Sequence, residues 1–321
     1  MPRHRVLALL ALAAALLAAG CSRGSEDRPN QSATLVLDFQ PNAVHAGIYL
    51  ALERDFDDAE GVTLRVQPPS SSTDSVKLLL AGRAQFAILD IHDLALAREK
   101  GRDIVGVMAV VQRPLAAVMA QPGIRRPRDL AGKRVGVTGL PSDDAVLSSV
   151  VRGDGGDPST VRKVSIGFQA VAALLAHRVD AATAFWNAEG VALQARRPGI
   201  HQFKVDNFGA PPYPELVVCV TRQTLQEQRS LVAATVRALR RGYEEAIADP
   251  ESGVEALVGS AGVKRADTER ELDAVSPAFT EGAARYGALD PRALRAWARW
   301  ETRFGITRRP PDVAQAFASG F

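Results

Sequence analysis

From Thr34 onward the chain alternates between two kinds of apolar pattern, and that alternation restricts its fold more than any other feature. Leu35–Leu37, Val62–Val66, Gln85–Leu89, Ile104–Val111 and Leu115–Ala120 are short β-rich runs. Between them, Val44, Ile48 and Leu52 repeat at helical spacing, and Asp74–Ala81 reads as a helix stopped by Gly82. After the Pro- and Arg-rich stretch 121–128, residues 129–137 restart the pattern. Strands at 164–166 and 181–185 follow, with helices over 142–151 and 170–176. Leu216–Thr221 is a further buried strand. From Thr224 the chain reads as helical to its end, with Val232, Val236, Leu239, Tyr243 and Ile247 on one stripe. Alternating β and α elements imply mostly parallel sheets flanked by helices. Two series imply two α/β lobes, with crossings near 112–120 and near 211–220. Residues 33–115 and 216–321 are expected to form lobe 1, and 116–215 lobe 2. A ligand would lie between them, where strand C-terminal ends and helix N-termini converge.

The N-terminus indicates the compartment. Arg3 and Arg5 precede an unbroken run of Val, Ala and Leu over Val6–Ala19. Such a run is too short to span a bilayer, which needs about 20 residues, but suits the apolar part of a signal peptide. It ends in Leu17-Ala18-Ala19-Gly20-Cys21, which resembles a bacterial lipobox. Residues 1–20 are therefore expected to be a signal peptide, with Cys21 the lipidated mature N-terminus. Residues 21–32 form a polar tether, and the working location is extracytoplasmic at a membrane. Losing Arg3 and Arg5 takes the net charge from +3 to +1, so the basic pI of about 9.0 marks no nucleic-acid surface. The remaining cysteine, Cys219, sits in an aliphatic strand, so no disulfide framework or zinc motif is expected.

Nucleophile elbows, Walker loops, HExxH and Rossmann fingerprints do not occur, and no catalytic residue is expected. Four places depart from ordinary packing. Asp38, Phe39, Asn42 and His45 cluster after the first strand, with Asn42 also a natural helix cap, and Tyr49 follows one helical turn later. Ser71, Ser72 and Asp74 form a hydroxyl-rich turn entering a helix, which can grip a ligand or merely cap. Asp90 ends a buried strand beside His92 and Asp93. Trp186, Asn187 and Glu189 follow another strand, and Tyr213 lies in the second crossing. Aromatic faces beside carboxylates and amides suit a planar nitrogen heterocycle, stacked on its faces and hydrogen-bonded at its edge.

At these residues the chain resembles the thiamine-pyrimidine family of periplasmic-type binding proteins. The resemblance rests on Leu37–Asn42 with His45, Gly47 and Tyr49, and on Ser72–Val76 with Gly82, Gln85 and Phe86. Gly132–Gly136 and Phe185–Gly190 complete it. It implies a two-lobed type II periplasmic-binding-protein fold with two hinge crossovers. It also implies that Asp38, Asn42, Trp186 and Glu189 face an aminopyrimidine. Phe39 stands where the family usually has Trp, and Ala188 where an aromatic is common. A slimmer wall leaves room for a larger flat ligand such as riboflavin.

The resemblance implies a monomeric substrate-binding component of an ABC importer. It would carry no cofactor or metal and pass an aminopyrimidine thiamine precursor to a permease. A flavin importer component is the alternative ligand reading. The alternative of another class is a pyridoxal-phosphate-dependent pyrimidine synthase, which shares a histidine comparable to His45. That class also carries a cysteine-rich iron-binding motif, which this sequence lacks.

Overall fold

A computed structural model describes residues 30–71 and 73–321, so the expectations for the leader, Cys21 and Ser72 lie outside the described residues. Its strands are β1 (Gln31–Val36), β2 (Val62–Gln67), β3 (Phe86–Asp90), β4 (Ile104–Ala109), β5 (Ala116–Ala120), β6 (Arg134–Val137), β7 (Arg162–Ser165), β8 (Ala181–Phe185), β9 (His201–Lys204) and β10 (Leu216–Thr221). Its helices are α1 (Ala46–Glu53), α2 (Phe56–Ala59), α3 (Asp74–Leu80), α4 (Ile91–Glu99), α5 (Pro141–Gly153), α6 (Ala170–Leu175) and α7 (Glu189–Arg196). They continue with α8 (Arg222–Glu227), α9 (Arg229–Ala248), α10 (Pro250–Ala261), α11 (Arg265–Thr280), α12 (Pro291–Arg303) and α13 (Val313–Ala316).

The strands form two five-stranded sheets, ordered β2-β1-β3-β10-β4 and β7-β6-β8-β5-β9. This is a two-domain α/β architecture, as the alternating pattern predicts. Both sheets are mixed rather than uniformly parallel. β10 runs antiparallel to β3 and β4, and β5 runs antiparallel to β8 and β9. The cause is the path of the chain. β5 and β10 each follow a crossing directly, so each enters its sheet from the end toward which the parallel strands point.

Two features differ from the expectation. β1 begins at Gln31, because Gln31 and Ser32 pair in parallel register with Val62 and Thr63, so these two residues belong to the sheet rather than to the tether. β9 is a strand without a sequence signature. Its four residues mix polar and apolar side chains and gain their order by edge pairing to β5.

One helix pair fixes the first motif. α1 crosses α9 so closely that a Cβ on Gly47 would lie 2.3 Å from the Tyr243 ring. A Cβ on Gly242 would lie 2.1 Å from the Gly47 carbonyl oxygen. The Tyr243 hydroxyl donates to the Val44 carbonyl at 2.8 Å. Val232, Val236, Leu239 and Tyr243 are buried along the face predicted for α9. Among the described residues, no helix is long and apolar enough to cross a membrane.

Candidate functional site

A cleft containing about 760 Å³ of empty space, measured out to its open mouth, separates residues on the two sheets. From the first sheet and its helices come Asp38, Phe39, Ser75, Asp90 and Asp93; from the second come Thr138, Asp143, Phe168, Phe185 and Glu189. Five carboxylates line the cleft, and none of its described lining residues is Lys or Arg. Of the residues singled out in the sequence, Asp38, Phe39, Asp90 and Glu189 are thus brought together.

Asp38 and Phe39 follow the C-terminal end of β1, and a short 3-10 turn (Ala43–His45) comes after them. Asn42 caps this turn: its Oδ1 accepts from the Val44 N–H at 3.0 Å, and its Nδ2 donates to the Gln40 carbonyl at 3.0 Å. The His45 Nδ1 accepts from the Asn42 N–H at 3.2 Å, which leaves its Nε2–H to donate to Asp38 at 2.9 Å. Buried His45 thus orients the Asp38 carboxylate from behind, while Asp38 itself lines the cleft.

Glu189 begins α7 across the cleft from this motif. One of its oxygens accepts from the Phe185 N–H at 3.2 Å. Burial raises its pKa to about 7, aided by the nearby charges of Glu271 and Asp38 and opposed by backbone hydrogen bonds. Glu271, from α11, accepts from the Ala43 N–H at 3.3 Å, and burial likewise pushes it to about 7. Asp38 and Glu189 therefore face one end of the cleft with Glu271 near them, a concentration of acidic groups that favours a cationic or proton-donating ligand.

The other end is tied across the two domains. Asp93 accepts from the Ser142 N–H at 3.3 Å and from its hydroxyl at 3.1 Å, and burial raises Asp93 to about 6 against those bonds. Asp143 is engaged by Thr138, Gly139, Leu140 and Thr183. The Phe39 and Phe168 rings meet edge to face at 4.6 Å, 80° apart, one from each domain.

Several residues expected at the site lie elsewhere. Asn42 uses its amide on its own turn, and His45 and Tyr49 are buried behind it. Ser71 and Asp74 form an exposed turn in which the Ser70 and Ser71 hydroxyls hold Asp74 down to about 2, while Ser75 and Val76 of the following helix reach the cleft. Trp186 does not line the cavity. Its Nε1 donates to the Pro114 carbonyl at 2.9 Å, and Lys204 Nζ sits 3.9 Å from its ring centre, so it braces the first crossing. Asn187 is fully buried, with neither amide atom hydrogen-bonded.

Tyr213 is fully buried in the second crossing, its hydroxyl 3.1 Å from His92 Nε2. His92 also bonds Glu301 through Nδ1. Burial opposes a charge on His92, but Glu301, Asp90 and Glu215 outweigh it and raise its pKa to about 10. Glu215, also buried, accepts from the Leu115 and Ala116 N–H groups at 2.6 and 2.8 Å. One crossing is thereby held to the other. Asp143, Phe168 and Thr183 line the cleft, and Glu271 stands near Glu189 without lining it, none with a signal in the sequence. Asp93 has one, its place beside Asp90.

A family model described as "NMT1/THI5 like" matches residues 42–253. The formylaminopyrimidine-binding protein of Halalkalibacterium halodurans is 30% identical over 261 residues, covering 80% of this chain and 79% of that protein. The 4-amino-5-hydroxymethyl-2-methylpyrimidine phosphate synthase of Legionella pneumophila is 25% identical over 229 residues, 70% of this chain and 72% of its own. Among solved structures, the alkanesulfonate-binding protein SsuA from Xanthomonas axonopodis pv. citri superposes with a TM-score of 0.73 at 17% identity, covering 90% of this chain and 99% of that one. That likeness shows the periplasmic-binding-protein fold. By the extent of the family match and of the 30% relative, the chain belongs to the NMT1/THI5-like family.

Proposed function

We propose that the protein is the extracytoplasmic substrate-binding component of an ABC importer and takes an aminopyrimidine thiamine precursor, of formylaminopyrimidine or hydroxymethylpyrimidine type, into its cleft. The observation that carries this reading is a cleft lined by five carboxylates and three phenylalanines, without a described Lys or Arg. An aminopyrimidine presents an exocyclic amine and a protonatable ring nitrogen to such carboxylates, and its flat faces to Phe39, Phe168 and Phe185. The relative from Halalkalibacterium halodurans supports the same ligand class.

The SsuA likeness does not bring its ligand with it, because a sulfonate would meet repulsion from Asp38 and Glu189. The same chemistry weighs against a synthase using pyridoxal phosphate, since the described lining offers neither a lysine for a Schiff base nor a cation for the phosphate. Binding without turnover is the proposed activity. The lobes are taken as 33–115 with 216–321, and 116–215, closing by a hinge at the two crossings. Cys21 anchors a monomer to the membrane after removal of residues 1–20, and a permease receives the ligand.

Native mass spectrometry and thermal shift with a panel of aminopyrimidines and flavins test this reading. Aminopyrimidines should raise the melting temperature and survive incubation unchanged. A yellow protein that responds to riboflavin alone would replace the pyrimidine with a flavin. No response to either class would sink the importer reading in both forms. Glu189→Ala should weaken aminopyrimidine binding by about 1.5–3 kcal/mol, the range for a buried charge-assisted hydrogen bond; unchanged affinity would remove Glu189 from the site.

A further inference from the structure

Behind the cleft, where the two crossings meet, lies a buried polar cluster that shares only Asp90 with the cleft lining. Asp90 ends β3, His92 lies in the first turn of α4, and Glu215 closes the second crossing. One donor atom from each falls within 4.8 Å of the other two. His92 and Glu215 are fully buried, and Asp90 opens onto the cleft wall. Burying this much negative charge is costly unless a cation shares the space. Protons can fill that role, on His92 or between the adjoining Asp90 and Glu215 carboxyls, and so can a metal ion that His92 ligates.

Three further observations give the cluster the form of a coordination site. Glu215 divides its carboxylate: Oε2 holds the Leu115 and Ala116 amides, while buried Oε1 receives no N–H and sits 3.7 Å from His92 Nε2, with the Asp90 carboxyl within hydrogen-bonding reach of Glu215. Glu301 bonds His92 Nδ1, which turns Nε2 toward Glu215 and Tyr213. A carboxylate on the far nitrogen of a histidine is the usual support for a metal-binding imidazole. The separations also suit a small ion. Ligand atoms about 2.0–2.1 Å from a tetrahedral zinc lie about 3.3 Å apart. The distances from His92 Nε2 are 3.7 Å to Glu215 Oε1 and 3.1 Å to the Tyr213 hydroxyl, on either side of that value.

We propose that Asp90, His92 and Glu215 form a hinge metal site for a divalent transition-metal ion, with Glu301 as the carboxylate behind the histidine and the Tyr213 oxygen as the fourth donor. One imidazole nitrogen among carboxylate and phenol oxygens matches Zn2+ best. Mg2+ and Ca2+ prefer all-oxygen shells of six or more ligands. A bound ion would join the end of β3, the start of α4 and the second crossing, and through Glu215 the first crossing as well. It would stiffen the hinge directly behind the ligand.

The test uses the tag-free full mature chain, stripped with a chelator and titrated with Zn2+, Mg2+ and Co2+. Zn2+ is expected to bind one to one and raise the melting temperature, Mg2+ to do neither, and Co2+ to give the intense visible bands of a four-coordinate site. Glu301→Gln should weaken Zn2+ binding by about 10–100-fold, the usual effect of losing a supporting carboxylate. Asp90→Asn should weaken it at least as much while keeping its fold, because Asn caps a helix as well as Asp does. The proposal is overturned, and protons on His92 or the carboxyl pair take the ion's place, if Zn2+ does not bind stoichiometrically, if Co2+ shows only the weak bands of a six-coordinate ion, or if Asp90→Asn leaves binding unchanged. The wild-type Co2+ spectrum decides the matter even if Glu301→Gln fails to fold.

Discussion

At Glu189, fold stability and the proposed ligand contact oppose each other. Its carboxyl titrates near 7 in the folded protein against an ordinary value of 4.5, so the folded chain holds that proton more tightly than the unfolded chain does. This contribution to stability is complete below about 4.5 and is lost as the pH rises through about 7. Urea unfolding should therefore show wild-type stability falling across that window, and falling less in Glu189→Gln. Glu271 and Asp93 titrate in the same direction and should leave a residual slope. Affinity for an aminopyrimidine should run the other way, improving as Glu189 ionises, and calorimetry across the same range checks it. On the opposite wall, Phe168→Ala should weaken binding by about 0.5–1.5 kcal/mol with little effect on unfolding, the measure of one lost ring contact. Asp38, Phe39 and Glu189 are legible in the sequence because each follows a β-rich run with polar chemistry. Phe168 and Glu271 are not. Phe168 sits in a loop that carries no other sign of a site, and Glu271 lies on a helix so rich in charge that it reads as a solvated face.

At the scale of elements, the crossing of α1 and α9 sets the position of the turn that presents Asp38. Gly47→Ala would force a methyl against the Tyr243 ring and backbone and should cost about 1–3 kcal/mol in denaturant unfolding, the range for overpacking. If the variant unfolds at the wild-type midpoint, the helices can separate without penalty. The strands β8 and β10 coincide with their predicted limits because both are buried aliphatic runs bounded by polar residues. β9 is not legible because edge pairing, which a local pattern does not record, gives it order. Trp186 illustrates the same limit. A tryptophan at a strand end looks equally suited to a ligand and to a brace, and the Pro114 carbonyl and Lys204 decide for the brace.

For the whole molecule, the contacts that bridge the domains at the cleft include Asp93 with Ser142, and Phe39 with Phe168. If the domains open by the proposed hinge, these contacts part. Small-angle scattering of the ligand-free double variant Ser142→Ala, Phe168→Ala should give a larger radius of gyration than wild type, and saturating aminopyrimidine should reduce it. Identical scattering curves would deny these contacts a role in closure. The mixed direction of the sheets has a separate consequence for how the chain assembles. The strands of the second sheet are continuous in sequence from β5 to β9, whereas β10 is wedged between β3 and β4. As the polypeptide emerges from a ribosome or a secretion channel, the second sheet can form as soon as its own residues are present. β4 stays without its neighbour until residue 216 arrives. The half-built first sheet therefore presents an unpaired edge for the time needed to deliver about a hundred further residues, the interval in which a nascent chain of this kind most needs a chaperone.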